Sequence, residues 1–241
     1  MLYFCYNASS MSDREPLVSD RLTPLALALF VSCMVSIGLW TWRLLTLRDI
    51  DFWYLNPNLF LAIIPLIPAW LLSRTMPAGH KSRLHPLRYV LFGMWLLFVP
   101  NSFYVVTDFI HLGENSVATT FDVVMLASFA INGCIIGYIT LLYMHRLLEK
   151  RFGISRARLL IIAIIILVGF GIYLGREQLR LNSWDLFVQP WRLVLGLTEP
   201  LTNSSIRLSA LGNTVLYAVF IGSFYPVVYQ LAKLADRPEK Q

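Results

Sequence analysis

One stretch of this sequence places polar side chains at helical spacing inside an apolar run. Residues 99–112 read V-P-N-S-F-Y-V-V-T-D-F-I-H-L. The polar members of this stretch are Asn101, Tyr104, Thr107, Asp108 and His111. Separations of three and four residues put side chains on one face of an α-helix. An amide, a phenol, a carboxylate and an imidazole on one face could bind a ligand, transfer a proton or close a hydrogen-bond network.

Asp108 and His111 are also side chains that can bind a metal ion. Their Asp-x-x-His spacing brings a carboxylate and an imidazole together on a helix, and Asp122, at the start of the next apolar segment, could add a third ligand. Zinc and manganese both accept such ligands. One hypothesis is therefore a divalent zinc or manganese site. The alternative is an Asp108–His111 pair that hydrogen-bonds to itself and to Arg176.

A metal-free site is a second hypothesis, with Asp108, His111 and Asp122 as the catalytic candidates. Asp108 could orient His111 as a general base, while arginines of residues 175–185, G-R-E-Q-L-R-L-N-S-W-D, hold an anion such as a lipid phosphate. The candidate binding residues of that segment are Arg176, Arg180, Asn182, Trp184 and Asp185. The alternative, which we favour, is that its two arginines neutralise neighbouring carboxylates. Those carboxylates are Glu177, Asp185 and Asp122.

The elements that must position these residues are apolar segments of membrane-spanning length. The chain of 241 residues is 57% hydrophobic and only 14% charged, whereas soluble domains carry about 25% charged residues. Six windows without Asp, Glu, Lys or Arg each approach the roughly 20 residues that span a bilayer as a helix. The sequence predicts helices at about 23–45, 54–73, 88–107, 121–144, 158–175 and 208–232. The fold class is therefore an all-α bundle of six transmembrane helices.

The basic residues predict the orientation of this bundle. Fourteen of the 20 Lys and Arg residues fall in the two tails and in the loops on their side of the membrane. The positive-inside rule places both tails, 1–22 and 233–241, in the cytoplasm. The extracytoplasmic side then holds the polar side chains of residues 99–112, together with Asp122 and the long loop 176–207. We expect a bacterial plasma-membrane protein, with membrane lipids rather than nucleic acid as its partners.

Two further patterns concern packing. The pairs G-C-I-I-G at 133–137 and G-I-Y-L-G at 171–175 predict close approach of helices inside one bundle, in preference to a homodimer. Residues 185–197, D-L-F-V-Q-P-W-R-L-V-L-G-L, are amphipathic. This segment could lie in the outer membrane interface, dip inward, or form an ordinary surface helix.

Three motifs, taken in order, resemble a family of bacterial polytopic membrane proteins that is catalogued as a domain of unknown function. They are F-V-P-N-S-F-Y-V-V-T-D-F-I-H-L, F-D-V-V-M-L-A-S-F-A at 121–130, and G-I-Y-L-G-R with N-S-W-D. The resemblance covers roughly residues 55–230. It implies that the candidate residues already named, together with Pro100, occupy the characteristic motif positions of that family. It brings no activity with it.

Three classes of function follow from these patterns. The first is an enzyme or binding protein that acts on an anionic lipid or an envelope precursor at the outer leaflet. The second is a structural or assembly protein whose polar cluster is an ion-pair network. The third is a small-solute transporter, which we rank last because residues 89–100 offer few polar groups toward the cytoplasmic side.

Overall fold

The computed structural model describes residues 19–48, 50–75, 86–112, 119–178 and 188–235. Within these ranges the backbone forms helices joined by short turns, and no strand. The α-helices are α1 (Ser19–Leu47), α2 (Leu55–Ile63), α3 (Leu66–Thr75), α4 (Pro86–Tyr104), α5 (Thr120–Phe152), α6 (Ile154–Tyr173), α7 (Pro190–Thr202) and α8 (Ser204–Ala235). A 3₁₀ helix, Val105–Leu112, continues α4, and a π-helical turn, Leu174–Gln178, continues α6.

Six stretches of these helices are long and apolar enough to cross a membrane. They are Pro24–Leu47, Leu55–Arg74, Pro86–Leu112, Thr120–Phe152, Ile154–Arg176 and Ser204–Ala235. The prediction of an all-α protein with six transmembrane helices is confirmed. The side of the membrane on which the termini lie stays a prediction.

One end of the bundle is defined by hydrogen bonds between helices. Arg43 near the end of α1 bonds to Asp122 at the start of α5. Asn58 in the first turn of α2 bonds to Asp108 of the 3₁₀ helix, which also bonds to Arg176 of the π-helical turn. We call this end of the bundle, with these five residues, the polar end.

The centre of the bundle is α5, which packs against α1, α2, α3, α4 and α6. Its buried side chains join those of α4, α6 and α8 in the larger apolar core. The largest fully buried side chains include Trp95, Phe103, Phe129 and Tyr173. By contrast, α1 and α8 leave most of their apolar surface outside the bundle, as helices in contact with lipid do.

The two G-x-x-x-G pairs lie where a second helix comes very close. A Cβ atom added at Gly133 in α5 would lie 2.5 Å from the carbonyl oxygen of Ser102 in α4. A Cβ atom added at Gly171 in α6 would lie 2.6 Å from Cγ of Pro100, also in α4. Small residues permit such approach between membrane helices. Gly133 and Gly171, one glycine of each pair, therefore serve packing inside the bundle, as the sequence predicts.

The helices extend beyond the predicted boundaries, most clearly between the fourth and fifth spans. The sequence predicts spans that end near 144 and resume near 158, but α5 continues to Phe152 and α6 begins at Ile154. Only Gly153 separates them, with a φ of 82°. Glycine adopts this left-handed conformation without the steric cost of a side chain. The charged residues around it therefore stay helical instead of forming a loop.

The third span departs from the predicted continuous α-helix. The α-helix ends at Tyr104, and the chain continues as a 3₁₀ helix from Val105 to Leu112. Asn101 thus lies on α4, whereas Asp108 and His111 lie on the 3₁₀ helix. Side chains three residues apart eclipse in a 3₁₀ helix, so Asp108 and His111 still share one face.

Candidate functional site at the polar end

The carboxylate of Asp108 is the most deeply buried charge of the third span. Its exposed fraction is 1%. Oδ2 accepts a hydrogen bond of 3.0 Å from Nδ2 of Asn58, and Oδ1 accepts one of 3.3 Å from Nη1 of Arg176. A buried carboxylate requires such partners because transfer out of water is costly. Asp108 therefore joins the first turn of α2 to the end of α6 through its two oxygens.

Arg176 bonds to four groups of the third span. Besides Asp108, its Nη2 donates to the carbonyl oxygen of Thr107 at 2.8 Å and to Nε2 of His111 at 3.1 Å. Its Nη1 also donates to the hydroxyl of Tyr104 at 3.4 Å, and its Cζ lies 5.6 Å from the centroid of the Tyr104 ring. The guanidinium is thus held by a carboxylate, a carbonyl, an imidazole and a phenol.

The contact with Arg176 determines the form of the His111 ring. A guanidinium only donates hydrogen bonds, so Nε2 of His111 must be the unprotonated acceptor, and the ring proton lies on Nδ1. The ring of Tyr54 packs against this imidazole with a centroid distance of 4.9 Å. In this arrangement the guanidinium of Arg176 lies between the imidazole of His111 and the carboxylate of Asp108.

Arg176 and the residues that it contacts all lie on backbone that departs from the α-helix, apart from Tyr104. Thr107, Asp108 and His111 lie on the 3₁₀ helix, and Arg176 lies on the π-helical turn. The 3₁₀ helix is tightened by a bond of 2.7 Å from the Thr107 hydroxyl to the carbonyl of Tyr104. Mid-helix 3₁₀ and π segments are frequent at functional sites. Neither segment could be predicted from the sequence, because the residues of both also fit an α-helix.

Asp122 belongs to a second network, together with Arg43 and Thr119. Nε of Arg43 donates to Oδ1 of Asp122 at 2.6 Å, and both side chains are buried. Oδ2 of Asp122 accepts from the backbone N–H and the hydroxyl of Thr119 at 3.0 and 2.8 Å. The N–H of Asp122 donates back to the Thr119 hydroxyl at 3.2 Å. Asp122 thus completes a capping box at the start of α5 and neutralises an arginine of α1.

These two networks differ from the pairings weighed from the sequence. Asp122 bonds to Arg43 and Thr119, and not to Arg176 as the ion-pair alternative expected. Within the described ranges, no three His, Cys, Asp or Glu side chains lie together as a metal ion would require. The predicted grouping of Asp108, His111 and Asp122 is therefore not what the structure shows. Both carboxylates are held instead by arginine, amide and hydroxyl donors.

The structure describes some of the remaining predicted residues and not others. Asn101 is half-buried on α4, and Tyr104 and Thr107 contact Arg176 as described. Four predicted binding residues lie outside the described residues, so their roles stay predictions. They are Arg180, Asn182, Trp184 and Asp185.

Asn58 and Tyr54 contribute to the site, although sequence reasoning did not select them. Both lie at the start of the second span, where W-Y-L-N-P-N places polar groups at the same end of the bundle as Asp108. Their position at this end of the span could have identified them as site residues from the sequence alone. Arg43 lies near the end of the first span, and no spacing rule relates it to Asp122.

Two other polar contacts lie away from the polar end. Nδ2 of Asn132 in α5 donates to Oγ of Ser36 in α1 at 2.9 Å, which is a polar bond between two spans. Toward the other end of the bundle, Nδ1 of His145 lies 2.7 Å from the hydroxyl of Tyr225, and Tyr229 donates to Glu149 at 2.8 Å. This second set ties α5 to α8.

Removal of the Thr119 hydroxyl tests the capping box. Thr119→Ala is expected to lower the free energy of unfolding by about 1 kcal/mol, because the backbone N–H of Asp122 loses its partner and Oδ2 of Asp122 loses one of its two donors. Thr46→Ala is the matched control, since that hydroxyl bonds to the carbonyl of Trp42 on an exposed face, and it should change stability by less than about 0.5 kcal/mol. Unfolding in mixed micelles measures both. Equal changes in the two variants would contradict the role of Thr119.

With the geometry established, comparison with known proteins adds one finding. A family model described as "Protein of unknown function (DUF1361)" matches residues 57–221. The chain belongs to this family. No curated protein and no solved structure matches it. The resemblance to a domain of unknown function is thereby confirmed.

The DUF1361 segment contains one network completely and the other in part. Asn58, Asp108 and Arg176 all lie within residues 57–221, whereas Arg43, the partner of Asp122, precedes them. The Asp108 network is therefore a contact internal to the DUF1361 domain. The family description carries no reaction, so the interpretation of this integral membrane protein depends on the geometry of the polar end.

Proposed function

We propose that the polar end is a closed structural network that holds the spans together, and that the protein serves as a structural or assembly component of its membrane. One observation carries this proposal. The carboxylates of Asp108 and Asp122, each 1% exposed, are each paired with one arginine of another helix. Each guanidinium is thereby balanced by a carboxylate, so neither contributes a net charge that would attract an anionic substrate.

The sequence separation of the partners explains how the network specifies the fold. The two Arg–Asp pairs join residues 79 and 68 positions apart in the chain. An ionised side chain inside a membrane is costly unless a partner meets it. Only the correct packing of α1 with α5, and of the third span with α6, neutralises all four charges. The network therefore favours one arrangement of the spans over alternatives in which a buried charge stays unpaired.

The proposal includes the location of the network. The positive-inside rule supports a polar end that faces the extracytoplasmic side of a bacterial plasma membrane. A C-terminal fluorescent-protein fusion is expected to fluoresce in the cytoplasm, and alkaline phosphatase fused after Leu112 is expected to be active. A C-terminal fusion that does not fluoresce, together with an inactive phosphatase at Leu112, would overturn this orientation.

A second candidate function is an anion site at the edge formed by Arg176 and His111, suited to a phosphate-bearing lipid headgroup. The observation in its favour is that Arg176 sits on a π-helical turn and keeps 12% of its side chain exposed, beside a half-buried imidazole. Arginine suits phosphate because its planar donors match the oxygens of the headgroup.

Native mass spectrometry of the purified protein separates the two candidates. The structural proposal expects His111→Ala to retain as much phosphatidylglycerol as wild type, because the basic residues elsewhere in the chain are unchanged. The anion site expects this variant to lose bound phosphatidylglycerol while it stays folded. Arg207→Ala, an exposed position at the start of α8, is the matched control. Selective loss in the His111 variant would overturn the structural proposal.

A further inference from the structure

A single exposed apolar face distinguishes α7 from the six spans. The side chains of Trp191, Val194 and Leu197 are 60%, 57% and 45% exposed, and Leu195 is exposed beside them. These positions recur at three- and four-residue spacing and form one side of the helix. An isolated apolar side chain on a surface needs no explanation, but a continuous apolar face does.

The two threonines on this face present methyl groups and not free hydroxyls. The hydroxyl of Thr198 donates to the carbonyl oxygens of Val194 and Leu195, at 2.9 and 3.2 Å. The hydroxyl of Thr202 donates to the carbonyl of Glu199 at 3.2 Å. A threonine hydroxyl that bonds to its own helix in this way has a partner for its donor without any contribution from solvent. The whole exposed side of α7 is therefore compatible with an apolar environment.

The opposite side of α7 packs on the protein. Gly196 and Pro200 are buried, and α7 contacts α8. The charged residues Arg192 and Glu199 are half-buried and lie away from the apolar face, between it and the packed side. The packed side thus already has its partner, and the apolar side faces outward.

The junction with α8 shows where α7 sits. Only Asn203 separates the two helices, and its Oδ1 accepts from the backbone N–H and the hydroxyl of Ser205 at 3.1 and 2.8 Å. Asn203 thereby caps α8, a span whose own side chains Leu208 and Leu211 are exposed where lipid is expected. Through Asn203, α7 is therefore continuous in the chain with a helix long and apolar enough to span the membrane.

We infer that α7 is a membrane-surface element, with Trp191, Val194 and Leu197 in contact with the bilayer at the boundary of headgroups and acyl chains. The amphipathic pattern, the outward tryptophan and the charged residues at the edge match helices that lie in this region. A bilayer is the occupant that continuity with α8 favours. The inference does not depend on the role proposed for the polar end.

Fluorescence quenching tests the inference on the full chain. Cysteines replace Val194 and Leu197 singly, in a background with the three native cysteines changed to alanine, and carry an environment-sensitive fluorophore. In liposomes of phosphatidylcholine, lipids brominated in the acyl chain should quench both positions, and aqueous iodide should not. Val215→Cys, exposed in the middle of α8, is the lipid-facing control, and Glu199→Cys is the control outside the apolar face of α7.

Two results would overturn the inference. Quenching of Val194→Cys and Leu197→Cys by iodide, without an effect of brominated lipid, would show that the face lies in water. Protection from both quenchers, together with energy transfer between labelled copies, would show that a second copy covers the face. Both variants are mild substitutions at exposed positions, and monodisperse elution of the labelled protein verifies that each is folded.

Discussion

Arg176→Met is expected to lower the free energy of unfolding by about 3–5 kcal/mol, because it leaves the carboxylate of Asp108 buried without its arginine. Asn58 remains as one hydrogen-bond partner of Asp108, but it supplies no charge. Combining Arg176→Met with Asp108→Asn removes both charges, so the double variant should be more stable than Arg176→Met alone. Reversible unfolding in mixed micelles compares Arg176→Met, Asp108→Asn and the double variant with wild type.

The control for this double-mutant cycle substitutes Asp122 in place of Asp108. Asp122→Asn also removes a buried carboxylate of the polar end, but Asp122 bonds to Arg43 and not to Arg176. Combined with Arg176→Met, its effect should be additive within about 0.5 kcal/mol, as for sites without shared partners. A coupling of Arg176 to Asp122 as large as its coupling to Asp108 would contradict the observed pairing and restore the pairing that the sequence suggested.

Gly133→Ala is expected to destabilise the protein by about 1–3 kcal/mol, the usual range for overpacking. The new Cβ would lie 2.5 Å from the backbone carbonyl oxygen of Ser102. A backbone atom cannot rotate away as a side chain can, so α4 and α5 must separate. That separation would also displace the 3₁₀ helix that follows α4, so the effect should reach the polar end.

Gly93→Ala provides a control of opposite sign. No atom lies within 4 Å of a Cβ built at Gly93, which faces outward from α4. Alanine there should leave stability unchanged or raise it by up to about 1 kcal/mol, because glycine is a poor helix former. Thermal unfolding in nanodiscs compares the two variants. If both alanines change stability in the same direction, close packing at Gly133 is not the reason for its small size.

The apolar spans could be predicted from the sequence because they depend on the solvent more than on one another. A segment such as residues 123–144 is helical in lipid since every backbone N–H and C=O group must be bonded within the segment. Length and hydropathy therefore suffice. Gly133 and Gly171 could likewise be predicted to lie at contacts between helices, because small residues spaced by four have few other uses in a membrane helix.

Backbone geometry at the site was not predictable in this way. Spacing gathered Asp108 and His111 on one face, and that grouping holds. However, the same residues satisfy an α-helix and a 3₁₀ helix, and only the packing of the third span against α5 and α6 selects the tighter one. The π-helical turn that carries Arg176 has no local signature either.

By itself, the sequence determined that this chain is a six-span helical membrane protein, and which charges collect at one end of it. Only the tertiary structure decided the partners: Arg43 with Asp122, and Arg176 with Asp108 and His111. The physical reason is the separation in sequence over which each effect acts. Hydrophobicity and helical periodicity act over neighbouring residues, whereas each ion pair joins side chains 68 or more positions apart. Which arginine meets which carboxylate depends on the rotation and register of whole helices, and these are set by packing.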